Sequence, residues 1–437
     1  MVLETFNSLK HKHLPEGSYK ADFLTMAVGR IVGQAVPILL TPFLTRLYTP
    51  EEFGIFAIFV AITAVLSLLA NGRYNLAIML PKKNENVLNL FALSILINFI
   101  FCSLLLLFIL IFQTNLLNIF NLHHAPEVLY LLPLGTFVIG TFEPLHYVAV
   151  RNRLFKVLAG NMIFQFTLIA ILKIIFAFLA IGGLGLILGH LVGYLAGITL
   201  FTFLLIRNKV FLGFGSCMAR ERIFKLANVY KKFPMYSLPA DTLQAFSKEV
   251  PNLLINNFFG SAIVGQFSLT QRVLASPITL ISSAITDVFR ERASTDYRDK
   301  GSCKGVFIKT FQKLFVFSFI PFTLLFLFAP AIVPFVFGQD WGQAGEYIRI
   351  MTILFFLRFS IAPVSSVLYL TGKQVYKLIW ETVSFVVIVA AFYIGYRFFD
   401  QYAAIGIYSF SLSFLYLILL AMSYKFTEDT NFKGKNN

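Results

Sequence analysis

Apolar residues run along this chain in blocks of about twenty, parted by short polar segments rich in Lys and Arg. A block of that length matches an α-helix that crosses a bilayer. Twelve blocks predict helices over residues 21–45, 53–79, 87–112, 127–150, 158–181, 184–206, 234–258, 262–289, 305–329, 345–370, 376–397 and 402–424. The expected fold class is an all-α polytopic membrane protein. An even number of spans puts both termini on one side. The longest outer connections are expected near 113–126 and 330–344.

Three blocks break the apolar pattern on one face. In span 1, Asp22, Met26, Arg30, Gln34, Pro37, Thr41 and Thr45 follow helical spacing. In span 7, Ser237, Asp241, Gln244, Lys248, Asn252 and Asn256 do the same, and in span 8 Ser268, Arg272, Ser276, Thr279, Ser283 and Thr286. A charge at membrane depth costs roughly 3 kcal/mol or more unless hydrated or paired. One arrangement pairs the charges inside a dry bundle, Lys248 with Asp241 or Glu249 and Arg30 with Asp22. The other is a water-filled central cavity lined by helices 1, 7 and 8. Three full stripes hold more polar positions than a few ion pairs need, which favours the cavity.

Helical rise places Arg30 roughly 14 Å above the inner end of its span, Lys248 roughly 21 Å above, and Arg272 roughly 15 Å below an outer end. All three bracket the midplane of a core about 30 Å thick. Such a cationic site suits phosphate, with Gln34 and Asn252 available to hydroxyl-rich cargo such as sugars. Lys173 and Arg358 are also deep.

The two halves of the chain resemble each other. A shift of 211 residues lays Glu52–Phe56 on Ile263–Phe267 with Gly and Phe matched, and Thr41 and Thr45 on Asn252 and Asn256. The expected organisation is an N-lobe over 1–206, a basic cytoplasmic linker over 207–232 and a C-lobe over 233–437. Parallel repeats of this kind put a central site between six-helix halves that rock about it.

Composition agrees. The chain has 437 residues, 58% hydrophobic and 13% charged, and a mean hydropathy of +0.77. That excludes a soluble enzyme with one anchor. The net charge of +15 is a topology signal: only Arg46 and Arg397 fall in outer loops, so the N-terminus is expected in the cytoplasm. It is no argument for nucleic acid. The N-terminal "MVLETFNSLKHKHLPEGSYK" lacks the core of a signal peptide, so the first helix is expected to stay. Cys102, Cys217 and Cys303 suggest neither disulfides nor a metal site, and His123-His124 reads as a loop pair. No nucleotide-binding, zinc-protease or nucleophile-elbow motif is seen, so neither catalysis nor a cofactor is expected.

With no nucleotide site, transport would draw on an ion gradient, the membrane potential or consumption of product. Asp241 and Glu249 are the best-placed acids to bind a proton or sodium ion, with Glu143 on span 4 a weaker candidate. Glu249 also reads as a plain counter-charge for Lys248. Pro37 and Pro42 each remove a helical hydrogen bond and allow helix 1 to bend, a gating role.

The segments "TPFLTRLYTPEEFGIFAIFVAI", "NGRYNLAIMLPKKNE", "YKKFPMYSLPADTLQAFSKEVPNLLINNFFG", "VGQFSLTQRVLASP" and "FGQDWGQAGEYIRI" resemble bacterial Wzx-type oligosaccharide-lipid flippases of the multidrug/oligosaccharidyl-lipid/polysaccharide exporter superfamily. The resemblance implies a V-shaped transporter of two six-helix lobes around a cationic cavity in the bacterial inner membrane. The implied cargo is an undecaprenyl-pyrophosphate oligosaccharide for O-antigen, capsule or a related polysaccharide. A polysaccharide polymerase and chain-length regulator are implied partners. By position, Arg30, Lys248 and Arg272 would meet the pyrophosphate and acidic sugars. Arg73 would be an entry contact or an ordinary topology-setting arginine, and Arg46 with Glu51 and Glu52 would fix an outer turn. Two other readings stand beside this one. A drug or small-cation antiporter of the same superfamily would favour acidic and aromatic residues at the site. A non-transporting partner in polysaccharide assembly would need no hydrated cavity.

Overall fold

The structure is a computed structural model that describes residues 19–212 and 214–428; the side chains of Arg30, Asp22 and Cys217 lie outside the described residues. Each predicted block coincides with a long helix. We number these α1 (Tyr19–Leu47), α2 (Pro50–Ala70), α3 (Asn84–Phe120), α4 (Glu127–Arg151), α5 (Phe155–Ala177), α6 (Gly183–Arg207), α7 (Leu238–Phe259), α8 (Ser261–Lys300), α9 (Lys304–Phe337), α10 (Gly342–Ile361), α11 (Gln374–Phe398) and α12 (Gln401–Lys425). Among the described residues, eight are long and apolar enough to cross a membrane, and α10 with its bent continuation makes a ninth. The protein is therefore multi-pass. The remaining three, α1, α7 and α8, are those that carry the polar stripes.

Several predicted ends move. Span 2 stops at Ala70, not at 79. Asn71, Gly72 and Arg73 form a turn in which Gly72 and Arg73 take φ of 52° and 58°, and a short helix Tyr74–Ala77 follows. Helix α3 continues past 112 to Phe120 with a kink at Phe112 (φ −108°, ψ 22°). Helix α9 runs to Phe337 through three prolines. The expected long loops at 113–126 and 330–344 are thus mostly helix. Helix α8 overruns 289 to Lys300. Span 10 breaks at Ala362–Pro363 with a bend of 47°, since Pro363 cannot donate to the helical ladder. Helix α1 runs through Pro37 and Pro42 without interruption. Thr49 and Glu52 form a capping box at the start of α2, with Glu52 Oε2 accepting from the Thr49 N–H at 2.7 Å.

Two compact units result. One comprises residues 1–48 and 55–249, the other 49–54 and 250–437. In the first, α6 lays Gly185, Gly189, Gly193 and Gly197 along α5, where a Cβ on each would meet Phe176, Lys173, Ile169 and Gln165 in turn. Such a stripe lets two helices approach closely where no hydrophobic force drives them together. Its core, around Tyr74, Leu90, Leu145, Val148, Phe201 and Leu226, gathers where the Lys- and Arg-rich segments lie. In the second, Phe289, Cys303, Phe307, Ile361, Val364 and Leu419 form the corresponding core.

Candidate functional site

The turn after α2 is the pivot of the site. Asn71 is buried and donates its amide to the carbonyl oxygens of Gly140 on α4 (2.9 Å) and Ser67 (3.3 Å). That bond fixes the turn against α4. The left-handed backbone at Arg73 then sends its guanidinium away from the helix path. Its Nε and Nη2 both donate to Asp241 Oδ2 on α7, at 2.8 and 2.7 Å. The Arg73 side chain is 14% exposed and that of Asp241 32%, so the pair is partly shielded from water. Asn75, one turn on, donates to Glu143 Oε2 of α4 at 3.5 Å. Arg73 also acts electrostatically on Glu143 and Tyr147, and Glu143 on Tyr194 of α6. Four elements of one unit thus converge on one cation and two acids.

The amide oxygens of Asn71 and Asn75 are buried and accept no hydrogen bond among the described residues. Buried acceptors of this kind normally have partners. The Asn75 amide oxygen, on the side chain that meets the Glu143 carboxylate, suits a proton or a small hard cation, which prefers oxygen donors. No cluster of three or more His, Cys, Asp or Glu able to hold a metal ion occurs among the described residues.

The other predicted residues are placed as follows. Arg30 sits on α1 with its side chain outside the described residues, and Gln34 is half-buried one turn on. Lys248 is exposed on α7 and Glu249 half-buried beside it, while Asn252 is buried one turn on from Lys248. Arg272 is half-buried on α8. Arg30, Gln34, Lys248 and Glu249 fall in the first unit, Asn252 and Arg272 in the second. Asp241, which the spacing offered to Lys248, pairs with Arg73 instead. An entry cation and an ion-coupling acid, assigned separately from sequence, are one ion pair.

Other cations within the helices rest on rings. Lys173 is buried with Nζ 3.8 Å from the Phe56 ring centroid, and its carbonyl accepts from the Tyr48 hydroxyl at 2.7 Å. Arg349 stands over Phe326 (5.4 Å) and Arg358 over Phe355 (5.7 Å). Cation–π contact offsets part of the cost of placing these charges. His123 lies in its loop, with Nε2 2.9 Å from Asn118 Oδ1.

Residues 43–346 match the family model described as polysaccharide biosynthesis protein. That is well over half of the chain. The chain belongs to the polysaccharide biosynthesis protein family. The matched stretch takes in Arg73, Asn71, Asn75, Glu143, Asp241, Lys248, Glu249, Asn252 and Arg272, and leaves Arg30, Gln34, Pro37 and Pro42 outside. Among curated proteins, the chain is similar to the amylovoran biosynthesis protein AmsL of Erwinia amylovora, 20% identical over 158 residues, 36% of this chain and 41% of that one. It is also similar to the teichuronic acid biosynthesis protein TuaB of Bacillus subtilis (strain 168), 24% identical over 151 residues, 34% of this chain and 31% of that one. The matched stretch spans under half the length of either relative.

Solved structures extend the likeness to the whole fold. An inward-facing multidrug resistance MATE family transporter of the MOP superfamily aligns with a TM-score of 0.69 at 16% identity, over 90% of this chain and 97% of that one. A MOP superfamily transporter from Pyrococcus furiosus aligns with a TM-score of 0.57 at 15% identity, over 94% and 96%. This family member therefore shares the fold of those two structures. Asn71, Asn75, Tyr147 and Tyr194 were not singled out by sequence spacing. The signal was present in "NGRYN", three polar residues closing an apolar run.

Proposed function

We propose that the protein is a flippase of the Wzx type. It carries undecaprenyl-pyrophosphate-linked oligosaccharide repeat units from the cytoplasmic to the periplasmic leaflet of the bacterial inner membrane, for an O-antigen or capsule-type polysaccharide. The observation that supports the reading is a polysaccharide biosynthesis family chain built on an exporter fold. Chemistry agrees with it. A pyrophosphate cannot stay in hydrocarbon, and cations within polar helices offer it a route. In this reading all twelve long helices cross the membrane, both termini are cytoplasmic, and the N-lobe (1–206) and C-lobe (233–437) rock on the 207–232 linker. Arg30, Gln34, Lys248, Asn252 and Arg272 line the path of the headgroup, and Arg73 meets it at entry. Asp241, Glu143 and Glu249 bind the coupling proton or sodium ion. The polyprenyl tail stays in hydrocarbon while Pro37 and Pro42 let α1 flex.

The test is reconstitution with a lipid-linked oligosaccharide, reading the fraction exposed to an added glycosidase outside the vesicle. Wild-type protein should raise that fraction with time. A triple Arg30→Ala, Lys248→Ala, Arg272→Ala variant should be about 10-fold or more slower, since each lost charged hydrogen bond costs about 1.5–3 kcal/mol. Equal rates with and without protein would sink the flippase reading. Equal rates for wild type and the triple variant would remove the three cations from it.

A further inference from the structure

The linker after α6 does more than connect. Lys209 takes a left-handed φ of 58° and turns the chain back. Phe211 and Phe214 then pack against Phe91 of α3, with ring centroids 5.1 and 6.1 Å away. The helix Arg220–Val229 follows, pinned to α3 by the Arg222–Glu85 ion pair and by the Ala219 N–H, which donates to Asn89 Oδ1 at 3.3 Å. Between this segment, α3, α4 and α6 lies a trench of about 750 Å³. Two ring groups line it: Phe91 with Phe211 and Phe214, and Phe99 with Phe137 at 6.3 Å. The Thr141 hydroxyl in its wall is satisfied by the Phe137 carbonyl at 2.7 Å. Ile206, Leu96 and Phe99 at its edge are exposed, so it opens sideways.

Counting from Asn84 at the start of α3, Phe91 is ~10 Å and Phe99 ~22 Å along the helix. The trench therefore covers ~12 Å of α3, under half of a hydrocarbon core about 30 Å thick. Arg220, one helical turn before lining residue Ile223, is exposed beside its mouth, and Lys225 is exposed further along the same helix. An amphipathic helix with exposed cations lies at the headgroup level and attracts anionic lipid. An apolar slot beside such a helix fits one kind of molecule: an anionic headgroup on a hydrocarbon tail. The two ring groups are eight residues apart on α3, with Ala92, Ile95 and Leu96 lining the slot between them.

We propose that this trench binds the polyprenyl tail of the cargo lipid on the cytoplasmic side, with the phosphate end held by Arg220 and Lys225. The proposal rests on the flippase reading and adds to it a docking site outside the central path.

The probe is a photoactivatable undecaprenyl phosphate without sugar, in vesicles of phosphatidylcholine. It should label α3, α4 and the 211–223 segment. Unlabelled undecaprenyl phosphate should compete, and phosphatidylglycerol should compete at least 10-fold less well. Ala92→Trp fills the trench wall and should abolish labelling. Ile206→Trp, at the exposed mouth, keeps the test open if Ala92→Trp does not fold. Arg220→Gln with Lys225→Gln should weaken labelling about 10-fold. Equal competition by phosphatidylglycerol, or wild-type labelling in folded trench variants, overturns the proposal. The two readings fail separately. Labelling without oligosaccharide translocation sinks the flippase and leaves the site. Translocation with unaltered labelling in the variants sinks the site and leaves the flippase.

Discussion

Gly54 of α2 and Gly265 of α8 lie backbone against backbone. A Cβ on Gly54 would collide with the Ser261 carbonyl oxygen and stand 3.1 Å from the Gly265 nitrogen. A Cβ on Gly265 would collide with the Pro50 carbonyl oxygen and stand 3.1 Å from the Gly54 nitrogen. The shift that carries Gly54 onto Gly265 also carries Pro50 onto Ser261. The contact is its own image under the internal repeat.

Glycine is required here because the helices touch through their main chains. Gly54→Ala or Gly265→Ala should each lower the thermal midpoint in detergent, by the ~1–3 kcal/mol typical of forced overpacking. Gly406→Ala, on α12 with nothing within 4 Å of the added Cβ, should be neutral or gain up to ~1 kcal/mol from helix propensity. A neutral Gly54→Ala would mean the crossing is looser than the contact shows.

The Arg73–Asp241 pair should behave as a unit. Arg73→Gln and Asp241→Asn each leave a partly buried partner uncompensated. Each should cost ~1–3 kcal/mol, and the double variant less than the sum, with a coupling of ~0.5–3 kcal/mol. Exchanging the two residues, Arg73→Asp with Asp241→Arg, should restore part of the stability. Unfolding midpoints of the four variants in one detergent check this. Strict additivity would show that the pair contributes nothing beyond its members.

Glu143 should matter to coupling more than to folding. It accepts a long hydrogen bond from Asn75, whose own amide oxygen is buried without a hydrogen bond among the described residues. In vesicles with an imposed proton or sodium gradient, wild-type transport should rise with the gradient. Glu143→Gln should transport at a basal rate that the gradient no longer alters. A variant as gradient-sensitive as wild type would exclude Glu143 as the ion-binding group.

Cys303 lies at the α8–α9 turn, clasped by the C-terminal end of the chain. Its N–H donates to the Thr427 carbonyl at 2.9 Å, and its thiol faces the same oxygen. Burial pushes the thiol up to about 11. At pH 8 only ~0.1% would be thiolate, the reactive form. With Cys102 and Cys217 replaced by Ser, N-ethylmaleimide should leave the folded protein unlabelled at pH 8. Labelling should rise as pH approaches 11. Truncation after Phe426 removes the clasp and should bring rapid labelling at pH 8. Rapid labelling of the intact chain would contradict the burial.

The helices were legible because bilayer-length apolar runs have few alternative structures. Their ends were not. Hydropathy does not see the turn at Asn71–Arg73, since Tyr74 to Leu80 is again mostly apolar, so span 2 was drawn nine residues too long. Helix α8 continues through "RERASTDYRDK", where nothing apolar marks it. For the site, single charges inside apolar runs were visible one by one. The pairing of Arg73 with Asp241, 168 residues apart, depends on a left-handed residue and on packing against α4. Neither leaves a mark in helical spacing. The aromatic seats of Lys173 and Arg349 were hidden for another reason: with 51 Phe in the chain, no single ring stands out.

Helix α8 has 40 residues, a length of ~60 Å against a hydrocarbon core of about 30 Å. If it spans the bilayer from its Ser261 end, ~30 Å of rigid rod stands clear of the membrane. That overhang packs through Phe289, Ala293 and Tyr297 on the second unit's core, so its tip moves with that unit. A tilt of ~10° within the bilayer would carry the tip at Lys300 sideways by ~5 Å, from the same rise per residue. Motions too small to read among packed helices become distances that a spin label on an exposed residue such as Arg298 can report. The polar overhang turns this helix into the protein's own gauge of its working cycle.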